Sequence, residues 1–177
     1  MTCFFVFITN NIYLCIKLIK NCNFMAKFFE TNEEYVDLVV NKFNETGLNS
    51  MGFVIKVMSV NKAKNIVKVS KANATAEFLM KKDGLITLII YEAAFDRLPT
   101  DAQEQLIEMA LSNIYYDSDK DKLSIETNPH IEVMNMRKKY GDGFLDTLEV
   151  AYLTMQQIED EERERKLAEK ENKKNRN

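Results

Sequence analysis

The chain has few side chains that could hold a metal ion or attack a substrate. His130 is its one histidine, and its cysteines, Cys3, Cys15 and Cys22, all lie near the N-terminus. A zinc site usually takes three or four ligands, most of them histidine or cysteine. Beyond Cys22 the chain offers a single histidine plus carboxylates. We therefore expect no metal site, no cofactor and no hydrolytic activity.

Alternating aspartates, Asp117, Asp119 and Asp121, are the next candidate for a metal site. An EF-hand loop that began at Asp117 would need glycine at its sixth position and glutamate at its twelfth. Those positions hold Lys122 and Asn128. The spacing therefore indicates a hydrated turn between a helix and a strand rather than a calcium site.

Positive charge is concentrated in one part of the sequence. No aspartate or glutamate occurs from residue 46 to residue 76, although the whole chain has a net charge of -3. Such a patch could bind phosphates or an acidic protein surface. Alternatively, lysines of this kind protect an exposed edge strand from aggregation. The lysines of this patch are Lys56, Lys62, Lys64, Lys68 and Lys71.

The first half of the chain has the pattern of one helix followed by four strands. A capping box at Thr31 and Glu34 predicts the start of the helix, and Gly47 predicts its end. The runs 53–58 and 66–69 predict one hairpin, and the runs 76–80 and 85–91 predict a second. Because residues 85–91 are nearly all apolar, we place that strand inside the sheet with both faces covered.

The second half has the pattern of three helices and one short strand. Thr100 and Gln103 form a second capping box, which predicts a helix that runs to about Ile114. A strand is predicted at residues 123–125, and the pair Asn128-Pro129 predicts a helix that ends at residues 140–143. The last helix is predicted to begin at Phe144 and to pack through residues 148, 152 and 155.

Both ends of the chain differ from its middle. Residues 1–24 contain no acid and have no clear signal-peptide pattern. We interpret them as a start-site artefact before Met25; a disordered tail and a membrane or export segment are the alternatives. Residues 25–155 are predicted to form the folded domain. Residues 156–177 are predicted to form a charged helical tail, in which Glu161/Arg165 and Glu162/Lys166 have favourable spacing.

Besides the order of the elements, four segments carry a resemblance to a known family: Ala94–Leu98, Gln105–Asn113, Asn128–Glu132 and Tyr140–Gly141. The chain resembles a family of phage metallopeptidases with a zincin-like fold, over roughly residues 33 to 143. In that family, a helix carries the motif His-Glu-x-x-His, whose two histidines hold zinc and whose glutamate acts as general base. A further histidine precedes the next helix.

Aligned with this family, the chain lacks every residue that the chemistry requires. The first zinc position falls on Met109, the general base on Ala110, the second ligand on Asn113 and the third on Asn128, with His130 two residues away. A thioether and two amides hold zinc poorly, and alanine cannot accept a proton. The resemblance thus implies a pseudoenzyme with a vestigial cleft. An unrelated α+β domain, or an unorthodox metal site that uses His130, is the alternative.

We therefore predict an α+β fold: a small mixed or antiparallel sheet covered by two or three helices, zincin-like, with a charged C-terminal helical extension. The resemblance implies a phage protein in the bacterial host cytoplasm or associated with the virion. The expected role is non-catalytic binding of a phage or host protein in virion assembly or host takeover. The alternative is a nucleic-acid-binding accessory factor that uses the lysine patch, and no membrane partner is expected.

Overall fold

The computed structural model describes residues 27–81 and 84–174, so the expectations for residues 1–24 fall outside it. The fold is α+β, as predicted. The strands are β1 (Phe28–Phe29), β2 (Val54–Val60), β3 (Val67–Lys71), β4 (Leu85–Tyr91), β5 (Ile114–Asp117) and β6 (Lys122–Ile125). The helices are α1 (Glu33–Glu45), α2 (Ala74–Met80), α3 (Glu92–Phe95), α4 (Thr100–Leu111), α5 (Pro129–Tyr140) and α6 (Gly143–Lys174).

The main sheet is mixed and has the strand order β1-β2-β4-β3. Strand β4 lies in the centre, parallel to β2 and antiparallel to β3. The predicted hairpin between residues 53–58 and 66–69 is therefore wrong, because β4 separates these two strands. This central position confirms the prediction that residues 85–91 lie inside the sheet, where β4 hydrogen-bonds to a neighbouring strand on each side. The prediction that both faces are covered holds only in part, because Thr87 and Ile89 are half-buried.

The predicted strand at residues 76–80 is also wrong. These residues belong to α2, which connects the end of β3 to the start of β4. Both edges of β4 are already hydrogen-bonded to other strands. No edge of β4 is left for a further strand, so the segment 74–80 forms a helix outside the sheet.

Helix starts and ends follow the sequence signals in part. Asn32, not Thr31, caps α1 by accepting a hydrogen bond from the Glu34 amide at 3.1 Å. Residue 99 precedes α4 without any side-chain cap, and Gln103 donates instead to the carbonyl of Phe95 at 2.8 Å. The Thr100 capping box is thus wrong, and α4 ends at Leu111 rather than at Ile114, which begins β5.

The core lies on the sheet face that carries Ile86, Leu88 and Ile90. These three side chains of β4 have no solvent exposure, whereas Thr87 and Ile89 on the other face are half-buried. Apolar residues of α1 and α4 belong to the same buried cluster, which includes Val39, Phe43, Leu106 and Ile107. The sheet therefore holds α1 and α4 on the face that these buried side chains of β4 share.

Helix α6 packs on the domain with its first half and extends beyond it with its second half. Its buried residues are Phe144, Thr147, Ala151, Thr154 and Ile158, at the spacing of one helical face. Tyr152, expected to pack, is exposed. The charged part is tied to the domain at its start, because Glu161 accepts two hydrogen bonds from Arg97 at 2.8 and 2.9 Å. Among the predicted tail pairs, Glu162 and Lys166 meet at 3.3 Å.

Candidate functional site

A groove of about 790 Å³ opens between β3, α4 and α6. Its walls are mainly apolar, and α6 contributes Leu148, Ala151 and Met155. Its size falls within the range of binding sites for small molecules and peptide side chains. The groove is therefore a candidate binding site.

Three of the predicted cleft residues lie in this groove. Met109, Ala110 and Asn113 come together there because α4 and the turn that follows it present them at a spacing of three and four residues. The Met109 side chain is half-buried, while Ala110 and Asn113 are buried. A thioether, a methyl group and an amide can form an apolar and hydrogen-bonding wall, but none of them can act as a general base.

Asn113 is used for structure. Its amide faces the Glu126 carbonyl at 3.2 Å and the Glu132 carboxylate at 2.8 Å, with the amide nitrogen assigned to the position that donates to both. Glu132 was not among the predicted site residues. It lies in the first turn of α5, where an acid is a recognisable signal. These hydrogen bonds fix the end of α4 against the start of α5 and form one polar end of the groove.

The other two residues of the predicted cleft do not line the groove. The Asn128 side chain caps α5 by accepting from the Ile131 amide at 3.4 Å, and Pro129 follows it at the first helical position, as predicted. His130 is exposed on the first turn of α5. A site built from His130 and the groove residues is therefore not supported by their positions.

The lysine patch does not form a single surface. Lys64 and Lys68 line the groove, together with Glu132 and Glu159. Lys62 donates to Glu162 of α6 at 2.8 Å, and this hydrogen bond lowers the pKa of Glu162. Two lysines balanced by two glutamates do not make a continuous track for phosphates.

The remaining lysines of the patch lie where β3 ends and β2 begins. By register, Lys56 is level with Thr87 of β4, and Lys71 is level with the neighbouring Ile86. Because adjacent positions on a strand point to opposite faces, the two lysines flank the sheet on different sides. Both are exposed.

Strand β3 is hydrogen-bonded to another described strand on one side only. The Tyr91 amide donates to the Ile66 carbonyl at 2.8 Å, and the Ala72 amide donates to the Leu85 carbonyl at 2.9 Å. Because antiparallel pairing alternates, Val67 and Val69 direct their backbone groups away from β4. Strand β3 thus has an edge that is open in the sense that no described strand pairs with it. This edge lies beside the apolar groove, and β6 is also near β3.

An ionic cluster fixes the helices behind the groove. The Glu108 carboxylate of α4 accepts hydrogen bonds from the Lys139 ammonium and the Tyr140 hydroxyl of α5. Burial raises the pKa of Glu108, but these two hydrogen bonds outweigh it and hold the pKa below its usual value. The same carboxylate raises the pKa of Lys139. The cluster joins α4 to α5.

The β5–β6 hairpin holds the three alternating aspartates, Asp117, Asp119 and Asp121. Asp117 accepts from the backbone amides of Asp119 and Lys120 and pairs with the Lys120 ammonium at 3.0 Å. Asp121 accepts from the Tyr116 hydroxyl at 2.6 Å. Their oxygens thus serve the turn, which joins two strands rather than a helix and a strand. Within residues 27–81 and 84–174, no three His, Cys, Asp or Glu side chains are close enough to hold a metal ion.

Comparisons with known proteins add no relative. No family model matches the chain, and the searches of curated proteins and of solved structures found no match either. The resemblance to phage metallopeptidases therefore stays a prediction. In the part of the chain that the structure describes, even the long α6 lacks the apolar stretch that a membrane crossing requires.

Proposed function

We propose that this chain is a non-catalytic protein-interaction module that holds an extended segment of a partner protein in the groove along β3. The observation that carries the proposal is the open backbone edge of β3 next to an apolar groove. An added strand gains affinity from main-chain hydrogen bonds and specificity from pockets for its alternate side chains. Both features occur here side by side.

The composition of the groove favours a peptide over a charged small molecule. Met109, Leu148 and Met155 offer adaptable apolar contacts. Lys64 and Lys68 lie along the strand side, whereas Glu132 and Glu159 lie toward the helices. We expect the bound segment to alternate apolar residues with polar ones and to carry at least one acid.

The wider role follows from the resemblance noted in the sequence. A zincin-like scaffold without metal ligands would keep a peptide-binding cleft and lose cleavage. In this proposal, the partner is a phage or host protein bound during virion assembly or host takeover, in the bacterial cytoplasm or on the virion. In the alignment with that family, the groove residues Met109, Ala110 and Asn113 fall on the positions of two zinc ligands and the general base.

A proline substitution on β3 tests the binding mode. Val67→Pro removes an amide that points away from β4, so the ladder between β3 and β4 keeps its hydrogen bonds. Val67→Ala is the matched control, because it trims the side chain and keeps the amide. Peptides selected from a random displayed library against the wild-type chain should bind Val67→Ala well and Val67→Pro at least roughly tenfold more weakly.

Two further measurements, peptide binding by Met109→Glu and binding of an oligonucleotide, separate this function from its alternatives. If both variants bind the selected peptides equally, the β3 edge is not used. Met109→Glu should weaken the same peptides if the groove accepts their apolar side chains. Tight binding of an oligonucleotide that falls steeply with salt would instead favour the nucleic-acid accessory role.

A further inference from the structure

Helix α2 exposes almost all of its surface. Phe78 is 81 % exposed, Leu79 is 72 % exposed and Met80 is 51 % exposed. Of its described side chains, none is fully buried, and Glu77 is half-buried while it accepts from the Gly84 amide at 3.2 Å. A helix of two turns is not stable by its own hydrogen bonds and normally depends on a packed face. Its large apolar side chains thus lack the burial that would stabilise it.

Helix α2 lies at the end of the sheet where β2 and β4 begin, and further apolar side chains lie at this end. Met51, which is 60 % exposed, precedes β2, and the ring of Phe53 packs close to Gly84 just before β4. The Val54 amide also donates to the Gly84 carbonyl at 3.4 Å. The starts of β2 and β4 and the helix α2 therefore form one apolar tip of the molecule.

Lysines surround this tip. Lys71 is the last residue of β3, and Lys81 directly follows α2. Lys56 lies on β2 near the same end, on the sheet face opposite to that of Lys71. All three are exposed. The β5–β6 hairpin, which reaches Phe53 through Tyr116, adds acids and bases in nearly equal number.

The angular spread of the apolar residues indicates what can cover them. Phe78, Leu79 and Met80 are consecutive, so they span about 200° of the helix circumference at roughly 100° per residue. A groove on a partner protein receives one helical face, which requires residues three and four apart. A lipid interface surrounds an inserted tip on all sides, so it covers apolar side chains that point in several directions. An interface of anionic lipids also attracts the lysines around the tip.

We propose that the α2 tip binds the surface of an anionic membrane, with Phe78, Leu79 and Met80 inserted among the lipid headgroups. Lys56, Lys71 and Lys81 supply the attraction to the negative lipids. The tip and the groove beside β3 are different surfaces, so the chain could bind a partner protein at a membrane. This proposal departs from the expectation that no membrane is a partner.

Vesicle flotation with the full chain tests the proposal. We expect binding to vesicles of phosphatidylcholine and phosphatidylglycerol in roughly a two-to-one ratio, and much weaker binding to phosphatidylcholine alone. The double variant Phe78→Ser/Leu79→Ser should bind the anionic vesicles about tenfold more weakly or worse. Ile131→Ser/Met134→Ser on α5 is the matched control, since both its residues are also exposed, and it should bind like the wild type.

Three outcomes would overturn the proposal. The first is absence of binding to anionic vesicles. The second is equal binding by the Phe78/Leu79 variant and the wild type, which would assign lipid binding to another segment of the chain. The third is equal binding to both kinds of vesicle, which would remove the role of the lysines. Thermal unfolding should be unchanged in the Phe78/Leu79 variant, so that lost binding is not lost folding.

Discussion

Helices α4 and α2 both carry apolar side chains, yet one is built into the core and the other is exposed. In α4, the buried residues recur every three or four positions and form one face that packs on β3 and on α1. In α2, the apolar residues are consecutive and point in several directions. Spacing, rather than the number of apolar residues, therefore decides which helix stabilises the fold. The exposed residues of α2 are then available for binding.

The largest expected difference between the two helices is in the free energy of unfolding. Ile107 of α4 has no solvent exposure, so Ile107→Ala should lower this free energy by about 2–5 kcal/mol through lost burial and a cavity. Phe78→Ala on α2 should change it by less than about 0.5 kcal/mol. Denaturant unfolding of the two variants measures both values. A loss of several kcal/mol for Phe78→Ala would show that α2 packs against the domain.

A smaller effect is expected from the ionic cluster that fixes α4 to α5. Glu108→Gln should lower the free energy of unfolding by about 1–3 kcal/mol at neutral pH, because Lys139 and Tyr140 lose a charged acceptor. The pKa of Glu108 is lower in the folded chain than its ordinary value of 4.5. Its contribution is therefore complete above that value and is lost as the pH falls through the lower, folded pKa.

The pH dependence of stability provides the control for the Glu108→Gln prediction. The wild-type chain and Glu108→Gln should differ in stability at pH 7 and converge as the pH falls well below 4.5, measured by unfolding at each pH. Glu77→Gln on α2 serves for comparison and should change stability less, since Glu77 only accepts from one backbone amide. A constant difference between the wild type and Glu108→Gln at all pH values would mean that the carboxylate charge is not what stabilises the cluster.

The smallest expected effect compares two helix starts. Asn128 caps α5, so Asn128→Ala should cost about 1 kcal/mol of stability. Thr100 begins α4 but its hydroxyl makes no cap, so Thr100→Ala should be nearly neutral. Thermal unfolding at one pH compares the two. A larger loss for Thr100→Ala would restore the capping box that the sequence indicates.

Some of the fold could be predicted because the signals were local. The pair Asn128-Pro129 begins α5, and Gly141, which has a positive φ of 73°, follows its end. The run 85–91 is nearly all apolar, and it forms the central strand. These features depend on neighbouring residues along the chain, so a single sequence is enough to find them.

Part of the site could be predicted for the same reason. Met109, Ala110 and Asn113 share one face of α4, and helical periodicity brings them together. Glu132 comes from another helix and β3 from a distant strand, so no local pattern shows that they meet at the groove. His130 and Asn128 were placed in the cleft by alignment with a family motif, and that alignment does not determine which way α5 turns its first residues.

By itself, the sequence determined which conventional zinc ligands residues 27–174 can offer and where α5 begins and ends. One histidine and no cysteine in residues 27–174 exclude a conventional zinc site there, whatever the fold. The tertiary structure alone decided that β4 separates β2 from β3, that β3 is an open edge beside a groove, and that α2 is exposed. Strand order and burial depend on contacts between residues that are far apart in the sequence, and no local pattern shows which of these contacts form.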